Sequence, residues 1–218
     1  MADYEMCHMG SHQVPIGLGF EIGPAINHKP TFNYNGTFEG NFYNWGFGPA
    51  FTISHEEDDL TSNPSLTYDN KTVYLTGWHI HTPAEHTVAA HRAKAELHLV
   101  HADADGNAAV VVGIRIEPGS SNSSFIEQLP TPMVHWNETD VEEPLDLNIA
   151  SALQEVENVD EYWTYEGSLT TPPCSEGIRW FMARRNLFAS LDQMRAILKA
   201  SRFGARPQQQ IWEHNINI

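Results

Sequence analysis

Between Thr72 and Ile116 the chain spells three β-strands in a row, and no other stretch limits its folding choices as strongly. TVYLTGWHIH (72–81) alternates apolar and polar residues with one interruption at Gly77, and AKAELHLVHAD (93–103) alternates again. AAVVVGIRI (108–116) is a nearly continuous apolar run of the kind buried on both faces. The intervening turns, TPAEHT and DADGN, are short, so the three strands read as a meander.

Residues 78–101 also hold six of the 12 histidines. His79 and His81 are two residues apart, as are Glu96 and His98, and side chains at i and i+2 of a strand share a face. Antiparallel pairing of the two strands would gather three imidazoles, with the Glu96 carboxylate behind one of them. A His-x-His in a strand is by itself most often two unrelated histidines. The third histidine and its acid on the next strand make the group a metal site in outline. Three imidazoles leave a fourth tetrahedral position for water, the pattern of a catalytic and not a structural zinc ion. Glu96 would then hold the free ring N–H of His98 and fix its tautomer.

At 218 residues the chain suits one domain with a sizeable core. Its 12 Lys and Arg against 28 Asp and Glu give a formal charge of −16, which repels phosphate backbones and anionic lipid. Neither nucleic acid nor a membrane is an expected partner. No apolar run approaches the roughly 20 residues that span a bilayer, and MADYEMCHMG lacks the basic and apolar regions of a signal peptide. Asn-x-Ser/Thr sequons at Asn35, Asn70, Asn122 and Asn137 nevertheless lean toward a secretory route and a glycoprotein. Cys7 and Cys174 stand in no metal-binding spacing. Two cysteines alone do not establish a bridge, but with the sequons they favour an oxidising compartment.

Elsewhere, residues 1–50 read as loops with short strands, FTISHEED (51–58) begins as a strand, and EEDDLTSNPS is a surface turn. Ser124 and Glu127 suggest a capping box for a short helix, and 143–156 a second, weakly patterned one. Residues 161–186 place strands on either side of a Gly/Pro-punctuated loop. The clearest helix begins at Ser190, with Gln193 as its third residue and Leu191, Met194, Ile197 and Leu198 as the buried stripe, before GARP breaks it.

HIHTPAEHT, then AELHLVH, then YWTYEGSLTTPPCSEGIRW resemble the α-class carbonic anhydrases, especially their secreted bacterial and fungal forms. The resemblance runs from about Val73 to Trp180, with a weaker tail at ARP (205–207) and a weak head at CHMGSHQVPI. It implies a mainly β (α+β) fold: a single domain over 1–218 around a large, twisted, mostly antiparallel sheet with short peripheral helices. It implies reversible hydration of CO₂ to bicarbonate and a proton by zinc-bound hydroxide, with His79, His81 and His98 as the Zn²⁺ ligands. Thr170 would accept the hydroxide's hydrogen bond and pass its own proton to Glu85. Val100, Val111, Leu169, Ile178 and Trp180 would form the apolar CO₂ wall, with Thr171 at its edge. Cys7 stands six residues before Gln13, as the family's half-cystine does, which implies a Cys7–Cys174 disulfide.

Three departures from the family bear on function. The usual proton-shuttle histidine is replaced by Phe47, after Asn44-Trp45-Gly46, leaving release to buffer or to another histidine such as His55. Gly77 stands where a glutamine commonly bonds the first ligand, so His79 is expected to use water or a backbone carbonyl. The family's N-terminal aromatic segment is not found in this sequence, which leaves a truncated start or a diverged branch open, and VPIG (14–17) replaces a serine-proline-isoleucine-aspartate run. Two other functions compete: a non-catalytic binding or storage domain of the same family, and a zinc hydrolase, for which no HExxH motif is present. His86 and His101 are expected in structural hydrogen bonds near the site. His8, His12, His28, His91, His135 and His214 default to surface or core, and oligomeric state is left open, a homodimer included.

Overall fold

A computed structural model describes residues 4–55 and 59–218. In chain order its strands are β1 (Gly17–Leu18), β2 (Thr31–Asn33), β3 (Phe38–Asn44), β4 (Pro49–Ile53), β5 (Ser65–Tyr68), β6 (Lys71–His81) and β7 (Thr87–Val88). They continue with β8 (His91–Arg92), β9 (Ala95–Ala102), β10 (Ala108–Pro118), β11 (Glu142–Leu147), β12 (Tyr162–Ser168), β13 (Glu176–Ala183) and β14 (Leu187–Ala189). Among the described residues three short α-helices, α1 (Met6–Met9), α2 (Ala150–Gln154) and α3 (Leu191–Ala200), lie around them. One large mixed sheet runs in the order β11-β3-β4-β6-β9-β10-β13-β12, and β1, β7 and β8 make a small separate sheet. Within the large sheet β10 pairs in parallel with β13 and β14, and every other pairing is antiparallel. The expected meander is β6-β9-β10.

Both faces of the sheet's centre are buried, and strand alternation sorts residues between them. Leu97 and Leu99 of β9, Val110, Val112 and Ile114 of β10, and Phe181 of β13 point into the larger core. Val111, Ile178, Trp180 and Met182 point the other way, into a second cluster with Val14, Ile16 and Trp163. On β6 the alternation changes phase: Val73 and Leu75 face the larger core, and so do Trp78 and Ile80. The change occurs at a register shift between Leu75 and Gly77. This bulge turns His79 and His81 to the face opposite Trp78 and Ile80.

Some local expectations need correction. The 124–127 helix is only a 3₁₀ turn over Ile126–Gln128, and Ser123, not Ser124, accepts from the Ile126 amide. The second helix is reduced to Ala150–Gln154, because 142–147 pairs as an edge strand with β3. α3 keeps its capping box, but its buried residues are Met194, Ile197 and Ala200, while Leu191 and Leu198 are exposed. The 56–58 part of the acidic turn lies outside the described residues.

Candidate metal centre

β6 and β9 pair so that His79 faces His98 and His81 faces Glu96. One ring nitrogen from each of His79, His81 and His98 lies within 4.8 Å of the other two. The Nε2 atoms of His79 and His81 are 3.1 Å apart. The outward nitrogens of two rings are engaged: His81 Nδ1 reaches the Gly204 carbonyl at 3.2 Å, and His98 Nε2 reaches Glu96 Oε1 at 2.7 Å. Burial, and then the neighbouring imidazoles, hold His79 well below the usual histidine range. Burial, followed by His98, pushes His81 down to about 3. These rings are therefore neutral, as metal ligation requires.

Glu96 is fully buried and saturated. Besides His98 it bonds His86 Nδ1 at 2.6 Å and accepts the amide N–H groups of Glu85 and His86 at 3.1 and 2.9 Å. Burial alone would raise its pKa, but the charge and hydrogen bond of His86, then those of His98, outweigh it and hold Glu96 well below the usual carboxylate range. His86 passes the chain outward through a 2.5 Å contact between Nε2 and the Tyr165 hydroxyl. His101, by contrast, is buried away from the cluster against the Tyr34 hydroxyl.

Glu85 is also buried, with Oε1 accepting the Arg206 amide at 2.8 Å and Oε2 lying 3.4 Å from His81 Nε2. Oε2 has no partner that meets hydrogen-bond geometry, although Thr170 is near enough to draw the pKa down. Burial is the larger influence and leaves Glu85 raised. Thr170 sits in the loop between β12 and β13. That loop is tied by Leu169 N–H to the Ser175 carbonyl, by Cys174 N–H to the Thr171 carbonyl, and by the Cys7–Cys174 disulfide. Thr170, Thr171, Trp45, Phe47 and Phe203 border one cavity of about 450 Å³, whose described lining contains no histidine. Val111, Ile178 and Trp180 belong to the second apolar cluster, with Val100 and Leu169 partly buried against it. The Trp180 and His98 rings meet nearly perpendicular, with centroids 5.0 Å apart.

A family model described as eukaryotic-type carbonic anhydrase matches residues 1–216. The chain belongs to the eukaryotic-type carbonic anhydrase family. Among similar proteins is a carbonic anhydrase of Klebsiella pneumoniae, 30% identical over 193 residues that cover 88% of this chain and 73% of that one. A solved carbonic anhydrase from Thermovibrio ammonificans, in complex with the inhibitor sulfanilamide, superposes with a TM-score of 0.85 at 28% identity, covering 99% of this chain and 91% of that one. The α-carbonic anhydrase of Photobacterium profundum gives 0.80 at 27%, covering 99% and 93%. The chain is thus an enzyme of the carbonic anhydrase class, with CO₂ and bicarbonate as its substrate pair.

The donor set of this carbonic anhydrase fits a tetrahedral divalent ion. Ligand nitrogens about 2.0–2.1 Å from zinc stand roughly 3.3 Å from each other, close to the 3.1 Å between His79 and His81. Phe47 borders the same cavity as Thr170 and Trp45. His55 instead borders a different cavity beside Leu60, Thr76 and Asp105, so it does not replace a shuttle at this wall. Of the two partners expected for His79, a backbone carbonyl is not found among the described residues; its ring meets the Trp45 indole. Sequence reasoning missed Tyr165, Gly204, Arg206 and Trp45, which reach the site from distant segments without any local pattern.

Proposed function

We propose that this carbonic anhydrase hydrates CO₂ at a zinc ion held by His79, His81 and His98. The convergence of three imidazoles beside the Thr170 loop carries the proposal. Zinc in such a site supplies the Lewis acidity that brings a water's pKa to about 7, a figure established for carbonic anhydrase itself. Glu96 fixes His98 with Nε2 as its donor, leaving Nδ1 for the metal. Thr170 would accept a hydrogen bond from the attacking oxygen and donate to Glu85 Oε2, which is buried with no partner that meets hydrogen-bond geometry. Glu85 therefore orients and does not abstract a proton, and the nucleophile keeps a lone pair toward carbon. Val100, Val111, Leu169, Ile178 and Trp180 offer CO₂ an apolar wall, with Thr171 at its edge.

The test is zinc content measured with CO₂ hydration. Chelation should abolish hydration, zinc should restore it, and an aromatic sulfonamide should inhibit it. Zinc-loaded protein without hydration would favour the binding-domain reading. With Phe47 on the cavity wall, the proton leaves to buffer, so turnover should rise with buffer concentration and Phe47→His should weaken that dependence. Turnover indifferent to buffer in the native enzyme would contradict it. The Cys7–Cys174 bridge supports an oxidising compartment, and with the four sequons it supports secretion and glycosylation. No helix among the described residues is long and apolar enough to cross a membrane.

A further inference from the structure

The three imidazoles are not held in the same way. The outward nitrogens of His81 and His98 each meet an acceptor, Gly204 O and Glu96 Oε1. His79 has its Nε2 toward the cluster, and among the described residues no protein group bonds its Nδ1. Gly77, on the same strand face, cannot supply a partner: a Cβ there would lie 2.2 Å from the Phe51 carbonyl oxygen and 3.2 Å from the Thr52 Cα.

An indole packs against the ring. Trp45 lies 5.3 Å from the His79 ring centroid and 5.1 Å from that of His81, tilted in the first contact and edge-on in the second. Its N–H reaches the Ile80 carbonyl between them at 3.5 Å, a weak tether. Stronger bracing comes from behind. Phe47 packs on Trp45 at 4.8 Å, and the Arg202 guanidinium lies 4.3 Å from the Phe47 centroid and 5.4 Å from that of Trp136. The loop carrying both rings is pinned by Asn44, whose amide donates to the Val134 and Ala200 carbonyls and whose Oδ1 accepts the Gly46 N–H. The Phe47 carbonyl accepts Arg202 N–H at 3.0 Å.

We infer that Trp45 is the positioning residue of the His79 imidazole, orienting it for the metal by ring packing where the other two ligands use hydrogen bonds. The inference rests on the zinc reading above. Partners behind a ligand typically change metal affinity about 10- to 100-fold, and an aromatic contact depends on a ring being present. Zinc affinity by chelator competition, with the visible spectrum of the cobalt-substituted protein, tests it. Trp45→Leu should bind zinc about 10-fold more weakly and alter the cobalt spectrum. Trp45→Phe, which keeps a ring, should stay within about threefold of the native protein and keep its spectrum. If the leucine variant does not fold, Trp45→Met, equally ringless, carries the same expectation. Native affinity and spectrum in the ringless variants would overturn the inference alone. Native protein that takes up no zinc would overturn the metal reading and the inference with it.

Discussion

At the scale of single residues, Gly77 does more than leave His79 without a side-chain partner. It closes the bulge that shifts β6 by one residue, and without that shift His79 and His81 would point into the larger core. Its missing side chain also lets the Phe51 carbonyl approach to where a Cβ would stand. Adding a side chain is therefore a steric change before it is a chemical one, and Gly77→Gln cannot report cleanly on His79. Gly77→Ala should destabilise the protein by about 1–3 kcal/mol, the usual cost of overpacking, read from the urea midpoint; an unchanged midpoint would show that the β4–β6 approach is slack. The His79, His81 and His98 cluster was legible because i, i+2 spacing on paired strands is a local signal. Trp45, Tyr165 and Gly204 were not, because ring packing and backbone acceptance from remote segments leave no pattern in sequence.

Among the elements, legibility follows whether the deciding interaction is local. The β6-β9-β10 meander and the Ser190/Gln193 cap were readable from alternation and from side-chain chemistry within four residues. β11 was not: its EEPLDL run owes its conformation to pairing with β3, about a hundred residues earlier. The rotation of α3 was hidden for a similar reason. Gln193 not only closes the capping box but exchanges two hydrogen bonds with the Ser123 backbone, at 2.8 and 2.9 Å. That pins the helix with Leu191 and Leu198 outward and the smaller Ala200 inward. Ser190→Ala should thus cost about 1 kcal/mol, as caps do. Gln193→Ala should cost more, by roughly 1–3 kcal/mol, because it also strands polar groups of the buried Ser123. Denaturant midpoints of the two variants, compared side by side, decide the order.

Across the whole molecule, buried neutral histidines and a buried carboxylate all oppose acid. Burial pushes His101 from 6.5 down to about 3, and His81 in the metal-free protein behaves alike. Unfolding frees both imidazoles to bind protons at their ordinary pKa, so the unfolded state holds more protons between about pH 6.5 and 3. Stability should fall as pH drops through that window, by at most about 1.4 kcal/mol per pH unit for each group. Glu96, held low in the fold, adds a loss of the same sign below the ordinary carboxylate range. His101→Gln should flatten the acid limb of urea midpoints. The disulfide acts on the same scale, joining α1 to the Thr170 loop across a separation of 167 residues. The segments it joins are sewn to each other and to the C-terminal stretch: Arg206 donates to the Cys7 and Val14 carbonyls, Gln13 to the Cys174 carbonyl, and His214 Nε2 meets the Gln13 carbonyl. Releasing the bridge should therefore cost about 2–5 kcal/mol and loosen residues 169–175 before the central strands. In Cys7→Ser/Cys174→Ser protein, CO₂ hydration should decline at lower urea than the far-ultraviolet β signal. Coincident transitions at the native midpoint would mean that the surrounding hydrogen bonds hold the Thr170 loop without the bridge.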